Sequence, residues 1–219
     1  MNPPARRFVG VLWVVWTLIF AAIFLAFLLA NFRLRAFLGK PLPVLGQISD
    51  FTLTNQLGQA VTLADLRGHV WVADIIFTRC AGPCLKMSRQ MKELQEGLPS
   101  TSNARFVSLT TDPGFDTPPV LKTYGEQRFG ADAGRWIFLT GTKEEVANLA
   151  GKSLKLAGVE KKPEERESPV DLFIHSTIFV IVDKSAQLRG VFQTTGEDID
   201  PQKVKKEIQA AIHRLERER

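Results

Sequence analysis

Hydrophobic positions follow three different rhythms along this chain. From Phe8 to Phe32, a run of 25 residues rich in Val, Leu, Ile, Phe and Trp carries no charge at all. A helix needs about 20 such residues to cross the hydrocarbon core of a bilayer, so the run predicts one transmembrane helix. A cleaved signal peptide would have an apolar stretch of only about 7–15 residues ending in small residues. Leu29-Ala30-Asn31-Phe32 is a poor match to that. Residues 1–7 are then a tail, 33–48 a linker containing Lys40-Pro-Leu-Pro-Val-Leu-Gly, and 49–219 one domain of ordinary size.

The second rhythm is that of strands. Ser49 to Leu63 predicts a hairpin, with Phe51-Thr-Leu-Thr and Ala60-Val-Thr-Leu on either side of a turn at Asn55 to Gly58. Val70 to Phe77 is apolar except for Asp74, the pattern of a central strand covered on both faces. Ala104 to Leu109 and Trp136 to Leu139 read the same way, and Thr177 to Val182 with Gln187 to Phe192 predicts a second hairpin.

The third rhythm is helical. Met87, Met91 and Leu94 recur at helical spacing after Pro83. Asp116-Thr-Pro-Pro and Thr142-Lys-Glu-Glu145 are helix starts, the second a capping box. Asp200 caps a last helix whose apolar face is Val204, Ile208, Ala211, Ile212 and Leu215. Strand and helix alternate and a terminal hairpin follows, which predicts an α/β domain: a mixed sheet with helices on both sides.

Charge narrows the function. The net charge of +5 is scattered among acids, with no basic run interleaved with aromatics, so nucleic acid binding is a weak reading and none is expected. Arg6 and Arg7 before the span nearly balance Arg33, Arg35 and Lys40 after it, so charge counting leaves its orientation open. Lys161 to Ser168 is a charged, proline-containing loop. Two cysteines are too few for a disulfide scaffold.

Those two, Cys80 and Cys84, flank a Gly82-Pro83 turn between a buried strand and a helix. Gly permits the sharp turn and Pro suits the first helical position. Cys84 then lies in the first helical turn, where the helix dipole and nearby Arg79 are expected to lower a thiol pKa. Positions four apart on a helix have Cβ atoms roughly 5–6 Å apart, whereas a disulfide wants about 3.5–4.5 Å. Cys80 must therefore belong to the loop, and the spacing allows either a disulfide or a bridged metal ion.

Of three histidines, His213 lies on the charged last helix and His69 at a strand edge. His175 directly precedes Ser-Thr-Ile-Phe-Val-Ile-Val, the strand expected beside the cysteine-bearing one. Two thiolates and one imidazole suit copper, Cu(I) through the soft sulfurs and Cu(II) with the nitrogen added. Structural zinc would want four protein ligands. Met87 is placed in the core by its spacing with Met91 and Leu94.

Three ordered motifs resemble the Sco (SenC) family of copper proteins over about Ser49 to Phe192. They are Phe77-Thr-Arg-Cys-Ala-Gly-Pro-Cys84, Thr111-Asp-Pro-Gly-Phe-Asp-Thr-Pro118, and His175-Ser-Thr entering an apolar strand that ends Val182-Asp183. The resemblance implies a thioredoxin-like fold and one copper ion on Cys80, Cys84 and His175. It also implies a role in assembling the copper centre of cytochrome c oxidase, with its copper-bearing subunit or another copper or thiol protein as partner. Asp112 and Asp116 gain a supporting role, beside their ordinary use in turns and caps. The domain would lie on the outer face of a bacterial inner membrane. The chain departs from the family pattern at Leu85, where members usually have proline; here the proline precedes Cys84.

The residues themselves admit other readings. The same pair suits a metal-independent thiol-disulfide oxidoreductase, with Cys80 and Cys84 as the redox couple. A membrane-bound redox or copper sensor is a third reading. A peroxidase of the peroxiredoxin type shares the fold, but nothing in the sequence favours it over a paired site.

Overall fold

The computed structural model describes residues 4–38, 41–80, 82–156, 159–160, 173–174 and 177–218. It divides into two compact units, Met1–Pro41 and Leu42–Arg219. In the first unit, α1 (Pro4–Leu38) contains Trp13–Ala30, a stretch long and apolar enough to cross a membrane. Side chains from Trp13 to Ala30 are exposed all round the helix, an apolar surface on every side.

The second unit follows the predicted alternation. Its elements are β1 (Gly46–Gln47), β2 (Thr52–Asn55), β3 (Ala60–Thr62), α2 (Leu63–Leu66), β4 (Trp71–Ile76), α3 (Pro83–Glu96), β5 (Arg105–Thr110), α4 (Pro118–Lys122), β6 (Trp136–Thr140), α5 (Lys143–Ala147), β7 (Val159–Glu160), β8 (Phe173–Ile174), β9 (Ile178–Val182), β10 (Gln187–Gln193) and α6 (Pro201–Arg217). Eight strands make one sheet in the order β1-β10-β9-β4-β5-β6-β2-β3, and β7 pairs with β8 apart from it. β4, β5 and β6 are parallel, and the remaining pairs are antiparallel.

All six residues of β4 are buried, because helices cover both faces. Val72 and Ile76 point into a core shared with α3 and α6 through Met87, Met91, Ile208 and Ile212. Trp71, Ala73 and Ile75 point into the opposite core, with Leu63 and Leu66 of α2 and Val146 of α5. The strand's apolar run is continuous because each face meets a helix layer.

Two stretches read as ordinary helix turn π-helical: Thr123–Arg128 after α4, and Asn148–Ser153 after α5. In the first, Gly125 lies so close to the Phe138 ring that an added Cβ would stand 2.4 Å from it. The aromatic ring takes the place of a side chain.

The segment expected to link anchor and domain differs from expectation at its end. Leu45 N–H donates to the Leu188 carbonyl at 2.7 Å, and β1 pairs with β10. Buried Arg189 donates to the carbonyls of Leu42 and Pro43, pairs with Asp183 at 2.6 Å and reaches Glu218 at 2.9 Å. Gly46 and Gln47 are therefore an edge strand of the sheet, and residues 42–45 are held against the domain beside it.

Candidate functional site

The site forms where β4 gives way to α3. After Phe77 the chain turns, Cys80 N–H donating to the Phe77 carbonyl at 3.1 Å. Gly82 precedes the helix and Pro83 opens it, so Cys84 falls in the first turn as the sequence suggests. Both cysteines are buried thiols not joined by a disulfide. The Cys84 N–H points at the Cys80 sulfur, 3.4 Å away. One turn thus gathers two soft donors, which suits either a soft metal ion or a disulfide.

A second loop braces this turn. Asp116 is completely buried beyond β5. Its carboxylate accepts from the Thr78 N–H at 3.1 Å and from the hydroxyls of Thr78 and Thr110. Burial raises its pKa, against the lowering pull of those hydrogen bonds. Asp112 pairs with Arg79, whose guanidinium lies over the Phe115 ring at 4.3 Å. The two aspartates that the family resemblance singles out therefore work on the loop that leads to Cys80. Beside Thr78 opens a groove of about 560 Å³ lined by Pro119, Val120, Thr123, Tyr124 and Arg128.

The electrostatics overturn one expectation. Arg79 is engaged by Asp112 and Phe115, so its charge is already partnered. The hydrogen bond with Cys80, then burial and the charge of Cys80, push the Cys84 thiol well above its ordinary range. Two sulfurs sharing one hydrogen bond in a dry site hold a proton that a helix N-terminus alone would release.

His175 lies outside the described residues. Thr177, two residues further on, is described. The β4–β9 register runs from Trp71↔Val182 to Ala73↔Val180, so β9 begins at the end of β4 from which the cysteine turn leaves. That start is tied to α3: Thr194 N–H donates to the Thr177 carbonyl at 2.8 Å, and Gln90 of α3 donates to the Thr194 carbonyl at 3.1 Å. The other histidines are elsewhere. His69 precedes β4 at its opposite end, with Nδ1 3.0 Å from the Asn103 carbonyl, and His213 lies on α6, 3.9 Å from Glu216. Met87 is packed in the core, as its spacing predicts. Among the described residues, no cluster of three metal-ligating side chains forms.

Sequence reasoning passed over two groups near the pair. Tyr124 shares a hydrogen bond of 2.9 Å with Ser88 of α3, one turn beyond Cys84. Asp74 is fully buried in β4, and the signal for it was its place as the one charge in an apolar strand.

Comparison with known proteins gives the family. The family model described as SCO1/SenC matches residues 45–213. A SCO1 protein homolog of Bacillus subtilis is 34% identical over 163 residues, covering 72% of this chain and 81% of that protein. A protein of Stutzerimonas stutzeri named for copper binding is 31% identical over 146 residues, 65% of this chain and 67% of its own. The solved structure of BsSco superimposes with a TM-score of 0.64 at 27% identity, covering 82% of this chain and all of that one. BsSco is described as a member of the Sco family of cytochrome c oxidase assembly proteins with a disulfide switch. The fold is the thioredoxin-like one of those proteins, and this chain belongs to the SCO1/SenC family.

Proposed function

We propose that this protein is a membrane-anchored copper carrier whose ligands are Cys80, Cys84 and His175, and that it serves assembly of the copper centre of cytochrome c oxidase. The observation that carries the reading is the pair of sulfurs on one braced turn, at the end of the central strand β4 beside which the strand following His175 begins. Two thiolates hold Cu(I), and an added imidazole lets the same site keep Cu(II). A relative named for copper binding and a family linked to oxidase assembly support this cargo and destination. α1 supplies the anchor, with the domain on the outer face of the inner membrane. Exposed Phe115 and the groove beside Thr78 offer a foothold to the copper-bearing subunit of the oxidase.

The test is copper stoichiometry of the reduced full-length protein in detergent, with absorption and spin-resonance signals assigned to sulfur and nitrogen. Wild type should bind one copper, Cys80→Ser and Cys84→Ser none, and His175→Ala should lose the nitrogen signature and Cu(II) affinity. Unchanged binding by the His175 variant would sink the three-ligand site.

A second reading, thiol-disulfide exchange by the same pair, is favoured by the Cys84 N–H on the Cys80 sulfur and by the disulfide switch of BsSco. It expects exchange to survive His175→Ala and to vanish in Cys80→Ser.

A further inference from the structure

Gln90 is a polar side chain in an apolar gap. It enters the space between α3, α6 and the β9–β10 pair, which is lined mainly by Leu94, Phe179, Val204 and Ile208. Its Oε1 is buried without a hydrogen-bond partner. An acceptor left unpaired there costs free energy that Leu or Met, filling the same space, would not incur. Packing alone therefore does not account for the amide. What the amide adds is its donor: Nε2–H donates to the Thr194 carbonyl at 3.1 Å.

That carbonyl belongs to a short relay. Thr194 is 1% exposed and directly follows β10. Its N–H and its hydroxyl both donate to the Thr177 carbonyl, each at 2.8 Å. The Gln193 amide adds a contact to the Thr177 hydroxyl at 3.4 Å. Counting the β4–β9 register on from Ala73↔Val180 brings Thr177 level with Ile76, the last residue of β4 before the cysteine turn. Two hydrogen-bonded links thus join the helix that carries Cys84 to the residue two positions after His175. The other hydrogen bonds from α3 side chains go elsewhere: Ser88 to Tyr124, Lys92 to Phe129 and Glu93 to Lys205.

We propose that Gln90 is a positioning residue for the third copper ligand: by holding Thr194, and through it Thr177, it fixes the start of β9 against the cysteine helix. The inference rests on the copper reading given above. Cu(I) needs only the two sulfurs, whereas Cu(II) calls on the imidazole nitrogen as well. A shift of β9 relative to α3 moves that nitrogen against two sulfurs held on their own braced turn. Gln90 therefore acts on Cu(II) and leaves Cu(I) alone. It sets the preference of the site between the two oxidation states.

The test compares wild type with Gln90→Met, which keeps the length of the side chain and removes the donor. Reduced full-length protein in detergent is titrated with Cu(I) and with Cu(II), and the Cu(II) forms are compared by spin resonance. Gln90→Met should keep its Cu(I) affinity, lose roughly tenfold in Cu(II) affinity and show an altered nitrogen coupling, as expected when a residue that orients a metal ligand is removed. Unchanged Cu(II) affinity and coupling would overturn the inference. So would an equal loss of both affinities, the mark of a purely structural role. A wild type without a nitrogen signature would overturn the three-ligand reading and this inference with it, whereas a wild type with that signature and an unaltered variant would overturn this inference alone. If Gln90→Met does not fold, hydrogen exchange of wild type gives the answer. Cu(II) should slow exchange of the Thr194 N–H, and equal rates with and without Cu(II) would refute the coupling.

Discussion

Asp116 holds Thr78 from across the strand ends, its carboxylate accepting from the Thr78 backbone N–H at 3.1 Å and from the Thr78 hydroxyl as well. Thr78 is two residues before Cys80, so this contact fixes where the cysteine turn starts. Asp116→Ala takes the acceptor from a part-buried N–H and from two hydroxyl donors, a loss of about 1–3 kcal/mol in stability. Because the brace acts on the loop proposed to hold copper, copper affinity should fall by roughly 10–100-fold on that reading. Thermal melting and copper titration of the same preparation check both; full affinity with lowered stability would show that the brace serves the fold alone.

Arg79 sits beside the pair in sequence but is directed away from it, onto Asp112 and the Phe115 ring. Its side chain is 38% exposed. Exposed ion pairs contribute about 0–1 kcal/mol, so Arg79→Ala should change stability by no more than that. The pH profile of cysteine alkylation should be unmoved, because the charge removed was already neutralised. A shift of that profile would mean that Arg79 reaches the sulfurs in solution.

Asp74 makes stability depend on pH with a definite sign. Its carboxyl is raised from 3.8 to about 7 by burial. Below about 4 it is neutral whether the chain is folded or not, and its ionisation makes no difference between the two states. Between about 4 and 7 the unfolded chain ionises first and the native state loses ground, and above 7 the full penalty, on the order of 4 kcal/mol, is in place. Asp74→Asn should therefore be better tolerated at pH 8 than at pH 4, by several kcal/mol in denaturant titrations. Equal effects at both pH values would contradict a neutral native carboxyl.

Much of this architecture is legible in the sequence. Val70 to Phe77 announces a central strand, Pro83 a helix start, and Asp200 a cap that indeed accepts from the Gln202 N–H. β1 is not legible, because Gly46 and Gln47 acquire strand character only from β10, some 140 residues away in the chain. The π-helical turn at Gly125 depends on Phe138, which no local pattern reveals. The cysteine pair itself could be read, but its proton affinity could not. Helix position argues for a lowered thiol pKa, while the neighbouring sulfur and burial, both tertiary facts, reverse it for Cys84.

Arg189 offers the clearest test of packing energetics. Its guanidinium is buried against Asp183 and contacts Glu218, with side-chain exposures of 8% and 9% for the Arg189–Asp183 pair. Removing one partner leaves an uncompensated buried charge, so Arg189→Ala should destabilise the domain by about 3–5 kcal/mol. Arg189→Met paired with Asp183→Leu should recover most of that loss. A mild effect of the single change would show that water reaches the site.

The same arginine sits at the β9–β10 end where the chain enters the domain, and the cysteine turn lies at the other end of the sheet, roughly 17 Å away along five strand residues. A pull arriving at Leu42 meets the Arg189 grip and the β1–β10 ladder first, and is borne there as shear. Such a pull is taken up at the end of the sheet away from the sulfurs.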